Sequence, residues 1–446
     1  MAVTARAGAA ATRIRGLFAR AGGGGSSPWE GIRYCLLVFL GMRVALGVLA
    51  VVALGTLPHP AASVGVPGWP APAFTPGPHN FVTGWERADA LWYLRIADGG
   101  YSATDGSAAF FPLYPLAVRG LSWVLGGHPL AAGLLVANVA LLAGLVLLYR
   151  LTEREFSTAV ARTAVLVVVL FPASFFFLAP FSEALFLLLA VASFSAARRR
   201  RWAWAGAFGA LAALTRSVGV ALAPALMAEA VHQFLEARHG AVVGLGDGLR
   251  ALDGDGRGTP SAHIALPAAG GVDASTRRLA GRMALATLPV VGLVSYLAYW
   301  GARTGDWLAP YHAQVQWQRT AQLPWVTVGH ATQQAFAGLG TFPDTYHLLD
   351  WLVVIPCLAA AGYAAWRFRP AYGIFTWGCL LPPLSYIFAP RAFMSDPRFL
   401  APLFPVFWAV AVLVERGRLP RTAVLALSAA GLAIMTSLFV ARYYVF

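Results

Sequence analysis

Nine apolar runs, each close to the length a helix needs to cross a bilayer, limit what this chain can fold into. They cover residues 34–57, 129–149, 161–179, 183–197, 281–300, 349–366, 371–389, 399–414 and 422–441. A helix of about 20 apolar residues spans the hydrocarbon core, and in lipid the backbone must satisfy its own hydrogen bonds. One more apolar stretch, 202–235, is interrupted at Thr215-Arg216-Ser217 and reads as two short helices meeting at that break. The expectation is an all-α polytopic membrane protein with about eleven spans.

Charged residues make up 12% of the 446, about half the share of a soluble chain. That excludes an ordinary water-soluble enzyme and a disordered protein. The three cysteines, Cys35, Cys357 and Cys379, lie inside apolar runs without metal-ligand spacing. They read as small apolar residues, and no disulfide scaffold or metal site is expected. All 33 basic residues are arginine and the net charge is +14. In a soluble chain such a balance points to nucleic acid. Here the arginines gather at the ends of apolar runs, so the expected partner is the bilayer and not a nucleic acid.

Arginine placement orients the spans. With 1–33, 150–162, 198–201, 236–282, 367–369 and 415–421 on the cytoplasmic side, those segments hold 23 of the 33 arginines. Eight fall on the other side: Arg87, Arg95, Arg119, Arg303, Arg319, Arg391, Arg398 and Arg442. The asymmetry follows the positive-inside rule. A single crossing by 202–235 would turn the basic loops 367–369 and 415–421 outward, which is why that stretch is counted as two helices.

Residues 1–33 are Arg/Ala/Gly-rich and lack the apolar core of a cleavable signal peptide; they are expected to be a disordered cytoplasmic tail. Residues 34–446 are expected to form a single transmembrane domain. Its outer loop 58–128 ends in Phe110 to Leu125, apolar but carrying Pro112, Pro115 and Arg119, which suits a helix lying on the membrane surface. The second outer loop, 303–348, holds Trp307, Trp317, Trp325 and Tyr311, an interfacial aromatic pattern. The inside loop 236–280, rich in Gly, Asp and Ala without periodicity, reads as a flexible insertion.

Chemistry is expected where outward carboxylates meet aromatic rings. The densest cluster runs from Trp85 to Tyr101 and contains Glu86, Asp89, Trp92, Tyr93 and Asp98. As a helix it places Asp89, Tyr93 and Ala97 on one face, with Glu86 and Trp92 beside it. The plain alternative is an amphipathic interfacial helix with solvated charges. A carboxylate beside rings at the bilayer edge, however, is suited to general-base work on a substrate whose apolar half lies in the membrane. Arg216 sits between two apolar stretches, where an unpaired charge is costly. It is either a structural partner, for instance of Glu183, or a phosphate ligand. Arg398, in Ser395-Asp396-Pro397-Arg398-Phe399, and Arg391 are further phosphate candidates, although Asp396 could neutralise Arg398. Glu183 could equally cap its helix with Ser182 as the N-cap. His312, His330 and His347 are too scattered for a metal site, and the sequence requires no metal or cofactor.

These residues resemble a known family. Ala88-Asp89-Ala90, Leu94-Arg95-Ile96-Ala97-Asp98-Gly99-Gly100-Tyr101 and Ala109-Phe110-Phe111-Pro112-Leu113-Tyr114-Pro115-Leu116 are similar to the first outer loop of the PIG-V type, the GPI mannosyltransferase II family with its bacterial relatives. The resemblance continues through Phe171-Pro172-Ala173-Ser174, Phe181-Ser182-Glu183-Ala184-Leu185-Phe186, Thr215-Arg216-Ser217-Val218-Gly219 and Pro397-Arg398-Phe399. It implies a GT-C-type transmembrane helical bundle, and a transferase that uses a polyprenyl-phosphate sugar, typically mannose, on the non-cytoplasmic side. It also implies that Asp89 is the base. The family usually has Trp before this aspartate, where this chain has Ala88.

The lysine-free, Ala/Gly/Arg-rich composition points to a bacterial plasma membrane, so the GPI acceptor is not carried over. The expected mechanism is an inverting transfer. Asp89 takes the acceptor proton, and Arg216, Arg398 and Arg391 hold the departing phosphate. Tyr93, Trp92 and Tyr101 line the sugar pocket, with Glu86, Glu183 and Asp98 in supporting positions. The acceptor is a lipid, a glycan or a protein. The rival readings are a GT-C transferase of another sugar, such as arabinose or glucose, and a lipid flippase or transporter. A transporter would place ionisable groups near the bilayer midplane and show internal repeats; here the charges gather at one face.

Overall fold

The computed structural model describes residues 28–58, 65–70, 72, 75, 77–253, 269–341 and 345–443. Helix α1 (Pro28–Thr56) is followed by a long connection carrying α2 (Asp89–Gly99) and α3 (Leu113–Val124). Then come α4 (Pro129–Glu155), α5 (Thr158–Leu170), α6 (Glu183–Arg198) and α7 (Trp202–Thr215). Arg216 is extended (φ −153°, ψ 141°), and a 3-10 turn over Ser217–Ala221 leads into α8 (Leu222–Asp253). The break read from Thr215-Arg216-Ser217 is therefore present. It is tight: a Cβ on Gly219 would lie 2.6 Å from the Ala212 backbone, so only glycine lets the turn fold back on α7.

Helices α9 (Ala269–Ala286) and α10 (Leu288–Thr304) precede a second long connection with α11 (Pro324–Ala337). The chain closes with α12 (Tyr346–Arg367), α13 (Pro370–Ser385), α14 (Phe404–Glu415) and α15 (Arg421–Val440). Two three-residue strands, β1 (Arg319–Ala321) and β2 (Tyr386–Phe388), pair antiparallel with Thr320 opposite Ile387. This ribbon was not anticipated in an all-α reading. It ties the second long connection to the end of α13.

Six of the expected spans are helices long and apolar enough to cross a membrane: Trp29–Thr56, Pro129–Glu155, Ser217–Arg238, Ala274–Thr304, Tyr346–Arg367 and Arg421–Val440. The other five expected segments fold as shorter helices, from the 12 residues of α14 to the 16 of α6 and α13. Proline sets several of these limits. The run 161–179 leaves the helix after Leu170, just before Phe171-Pro172, and continues as a 3-10 turn over Ser174–Phe177.

Three other expectations change. Residues 28–33 belong to α1 and not to a tail, while 1–27 lie outside the described residues. The loop 236–280 is helical through Asp253 and again from Ala269, because α8 and α9 extend into it; residues 254–268 lie outside the described residues. Helix α2 starts at Asp89, so Glu86 precedes the helix instead of sharing its face.

One apolar core draws on buried residues from Cys35 in α1 to Val440 in α15. Helices α7 and α10 approach closely because a Cβ on Gly292 would lie 2.4 Å from the Ala210 carbonyl oxygen, the small-residue contact typical of membrane helices. The amphipathic α3 buries Tyr114, Pro115 and Val118 and exposes Leu116, Trp123 and Val124. The far end of α6, about 22 Å from Glu183 at 1.5 Å per residue, is pinned by a separate ion network. There Arg198 reaches Glu155 at 2.5 Å and Glu229 at 2.9 Å, and Arg369 reaches Glu236 at 3.1 Å.

Candidate active site

Helix α2 begins abruptly. Ala88 takes φ 51°, ψ −133°, a conformation disfavoured for any residue with a Cβ, and this turns the chain so that Asp89 becomes the first helical residue. Behind it, Leu91, Trp92, Tyr93 and Leu94 are buried. Asp89 faces a cavity of about 1050 Å³ whose walls come from the first long connection, the break after α7, the second long connection, the end of α13 and the segment before α14.

Three ion pairs tie these walls together. Arg398 donates through Nη1 to Asp89 and through Nε to Glu183, and Arg216 donates through Nη1 to the same Oε1 of Glu183. The Glu183 side chain is wholly buried, and those of Arg398 and Arg216 are 6% and 12% exposed. Asp89, at 29%, keeps the greatest access to the cavity. A buried carboxylate is tolerable only with such partners. Aromatic faces complete the cation environment: Arg398 lies 4.7 Å from the Phe181 ring centre and Arg216 5.0 Å from that of Phe399.

Arg216 does pair with Glu183. Arg398 is met by Glu183 and Asp89 rather than by Asp396. Glu183 is the first residue of α6, but Ser182 makes no side-chain cap; its Oγ lies 2.9 Å from the Tyr93 hydroxyl. Asp396 is buried, and desolvation pushes its carboxyl up to about 8 despite Arg319 nearby.

The remaining candidates divide between the cavity and other places. Trp92 and Tyr93 line the cavity, with Trp92 stacked on Phe110 at 5.5 Å. Glu86 lines it too; burial raises its pKa, countered by a hydrogen bond from the Trp69 indole at 3.3 Å. Tyr101 is elsewhere: its hydroxyl donates to the Phe110 carbonyl at 2.7 Å, and its ring sits against Tyr296 and Trp300. Asp98 is exposed and does not line the cavity. Arg391 does not line it either. It makes a two-pronged pair with Asp350, Nε to Oδ2 at 2.7 Å and Nη2 to Oδ1 at 2.9 Å.

Sequence reasoning passed over four lining residues: Arg87, Arg319, Arg442 and Trp317. Three of them were among the scarce outward arginines, which was the available signal. Arg319 bonds the Tyr386 carbonyl at 3.2 Å and the Ser395 hydroxyl at 3.4 Å and lies over the Phe399 ring at 5.8 Å. Trp317 meets Trp92 edge-on at 6.0 Å. No cluster of three His, Cys, Asp or Glu side chains suited to a metal is found among the described residues.

Residues 79–240, which supply Asp89, Glu183 and Arg216, match the family model described as Mannosyltransferase (PIG-V). The chain is also similar to a protein named GPI mannosyltransferase 2 from Drosophila pseudoobscura pseudoobscura, 34% identical over 124 residues, which is 26% of each chain. The match thus spans about a quarter of that relative's length. Among solved structures, ArnT from Cupriavidus metallidurans bound to undecaprenyl phosphate aligns over 91% of this chain and 76% of its own, at 15% identity and TM-score 0.44. The oligosaccharyltransferase AglB from Archaeoglobus fulgidus, in complex with an inhibitory peptide and a dolichol-phosphate, aligns over 92% and 56%, at 13% identity and TM-score 0.41. The matched segment ends before Arg398, so the pair joining Arg398 to Asp89 links it to the chain that follows.

Proposed function

We propose that this protein is an integral-membrane glycosyltransferase of the GT-C kind, with the helices from α1 to α15 acting as one transmembrane unit and the cavity open to the non-cytoplasmic side. It transfers a sugar, mannose in this reading, from a polyprenyl-phosphate donor to an acceptor hydroxyl. The observation that carries the proposal is the ion-paired set Asp89, Glu183, Arg216 and Arg398, drawn from four separate stretches of sequence, in which Asp89, Arg216 and Arg398 line the cavity and the buried Glu183 joins the two arginines.

The acceptor oxygen attacks the anomeric carbon while its proton passes to Asp89. The bond from that carbon to the phosphate oxygen breaks, and the electron pair leaves with the lipid phosphate, which gains one negative charge. Arg398 and Arg216 stand ready for that charge, as fixed groups aimed at where charge develops. Attack opposite the leaving group inverts the anomeric configuration. Arg398 also connects the two events. In the resting protein it pairs with the Asp89 carboxylate, and a phosphate competing for the guanidinium releases that carboxylate to accept a proton. Trp92, Tyr93 and Trp317 supply the ring faces that a sugar stacks on.

The test is direct. Purified full-length protein in detergent is incubated with radiolabelled polyprenyl-phosphate mannose and a membrane lipid extract. A labelled product formed by the native protein and absent with Asp89→Asn supports the reading. Label that stays on the donor, or equal product from both proteins, overturns it. Substituting polyprenyl-phosphate arabinose or glucose identifies the sugar.

A further inference from the structure

Two carboxylates line the cavity, Glu86 and Asp89, and they differ in what holds them. Asp89 is paired with Arg398. Glu86 has no arginine partner among the described residues. Its Oε1 accepts a hydrogen bond from the Trp69 indole at 3.3 Å, and no neighbouring charge acts on it. Its second oxygen, Oε2, has no hydrogen bond and keeps open surface.

The surroundings fix this carboxylate in place. Trp69 belongs to a short turn in which its backbone pairs with that of Val66, and Val66 also lines the cavity. The Glu86 amide donates to the Thr83 carbonyl at 3.1 Å. The strained turn at Ala88 then separates Glu86 from Asp89, so that one carboxylate precedes α2 and the other begins it. Three positions of extended chain reach at most about 11 Å, a span that a phosphate and the sugar it carries can bridge.

Sugar hydroxyls both donate and accept hydrogen bonds, and leaving water without partners is costly for them. The cavity arginines can only donate. Asp89 is occupied by Arg398 and, in the reading above, by the acceptor proton. Glu86 is the cavity carboxylate with an oxygen still open. It is also partly buried, where a hydrogen bond to a charged group is stronger than in bulk water.

We propose that Glu86 is the specificity residue for the transferred sugar: its Oε2 accepts a hydrogen bond from a hydroxyl of the donor's sugar ring, while Trp69 holds Oε1. This rests on the transferase reading above and adds the group that tells a sugar-bearing lipid phosphate from a bare one. Trp92 and Trp317 take the ring face, Arg398 and Arg216 the phosphate, and Glu86 the ring edge.

Equilibrium binding of radiolabelled polyprenyl-phosphate mannose, arabinose and glucose, and of bare polyprenyl phosphate, is measured on the full chain in dodecyl maltoside without acceptor. A hydrogen bond to a charged group is worth about tenfold or more in affinity. The native protein should therefore bind one sugar-bearing lipid at least tenfold more tightly than the bare one. In Glu86→Gln the Trp69 donor claims the amide oxygen and leaves an NH2 group facing the sugar. That variant should lose most of the margin and bind bare polyprenyl phosphate as the native protein does, which shows that its fold is intact. Among donors lacking one ring hydroxyl in turn, one should bind the native protein about tenfold more weakly and Glu86→Gln no more weakly; a merely structural role would not produce that coupling. No margin on the native protein, or a margin that Glu86→Gln keeps in full, overturns the role of Glu86 and leaves the phosphate site standing. Deoxy donors that all bind the native protein as well as the parent overturn it without recourse to a variant. If the native protein binds none of these lipids, the donor reading falls and this inference with it.

Discussion

Arg398 and Asp89 are separated by 309 positions in sequence and form an ion pair at the cavity wall. The same guanidinium reaches the buried Glu183, so one arginine joins the proposed base to the start of α6. Replacing Asp89 by Asn keeps the shape and removes the proton acceptor. Transfer should fall by roughly 10²–10⁴-fold, the usual contribution of a general base. Because Asp89 is partly exposed, the thermal midpoint in detergent should move little. Activity equal to the native protein would remove Asp89 from the reaction.

Arg398 carries more structural weight than Asp89. Arg398→Gln leaves the wholly buried Glu183 with Arg216 as its remaining arginine partner, so the variant should lose both transfer and stability. Breaking a buried ion pair costs about 3–5 kcal/mol. Adding Glu183→Gln should return part of the stability but none of the activity. A double-mutant cycle of melting measurements gives the coupling.

The Arg391–Asp350 pair makes the opposite prediction. It does not line the cavity and is fully buried, with bonds of 2.7 and 2.9 Å. Arg391→Ala should cost about 3–5 kcal/mol in stability, with donor affinity unchanged in whatever protein remains folded. Removing Asp350 as well should restore much of the midpoint. A raised KM for the donor would place Arg391 in the phosphate site after all.

Asp396 gives a pH dependence. Its pKa is raised to about 8 from an unfolded value near 4. Between those values the unfolded chain binds fewer protons than the folded one, so this group's contribution to stability falls as pH rises through that window and is constant below it. Asp396→Asn should flatten the decline in melting temperature between pH 5 and pH 8. An unchanged slope would show that Asp396 is ionised in the folded state.

Ala88 stores strain next to the base. With φ 51° and ψ −133°, its Cβ opposes a conformation that glycine adopts freely. Ala88→Gly should raise stability by about 1 kcal/mol, the strain released less the entropy glycine adds to the unfolded chain. Ala88→Val should lower it and, by shifting the start of α2, reduce transfer. Both are read from melting curves and turnover of the same preparations.

The membrane character, the helical spans and the break at Arg216 follow from the sequence alone. Apolar run length, arginine bias and an isolated charge are local signals with direct physical costs in lipid. Asp89, Trp92 and Tyr93 were legible for the same reason, as a carboxylate and rings clustered within a few residues, and the PIG-V resemblance covered Asp89. Which arginines serve the cavity was not legible. Arg391 and Arg398 look alike in sequence, yet one is held by Asp350 and the other by Asp89 and Glu183. Arg87, Arg319 and Arg442 reach the same space from three distant segments. Side-chain partners across a helical bundle depend on how the helices pack, and no run or period in the chain encodes that packing. Local chemistry therefore fixed the medium and the elements, while only the tertiary fold decided which charges meet.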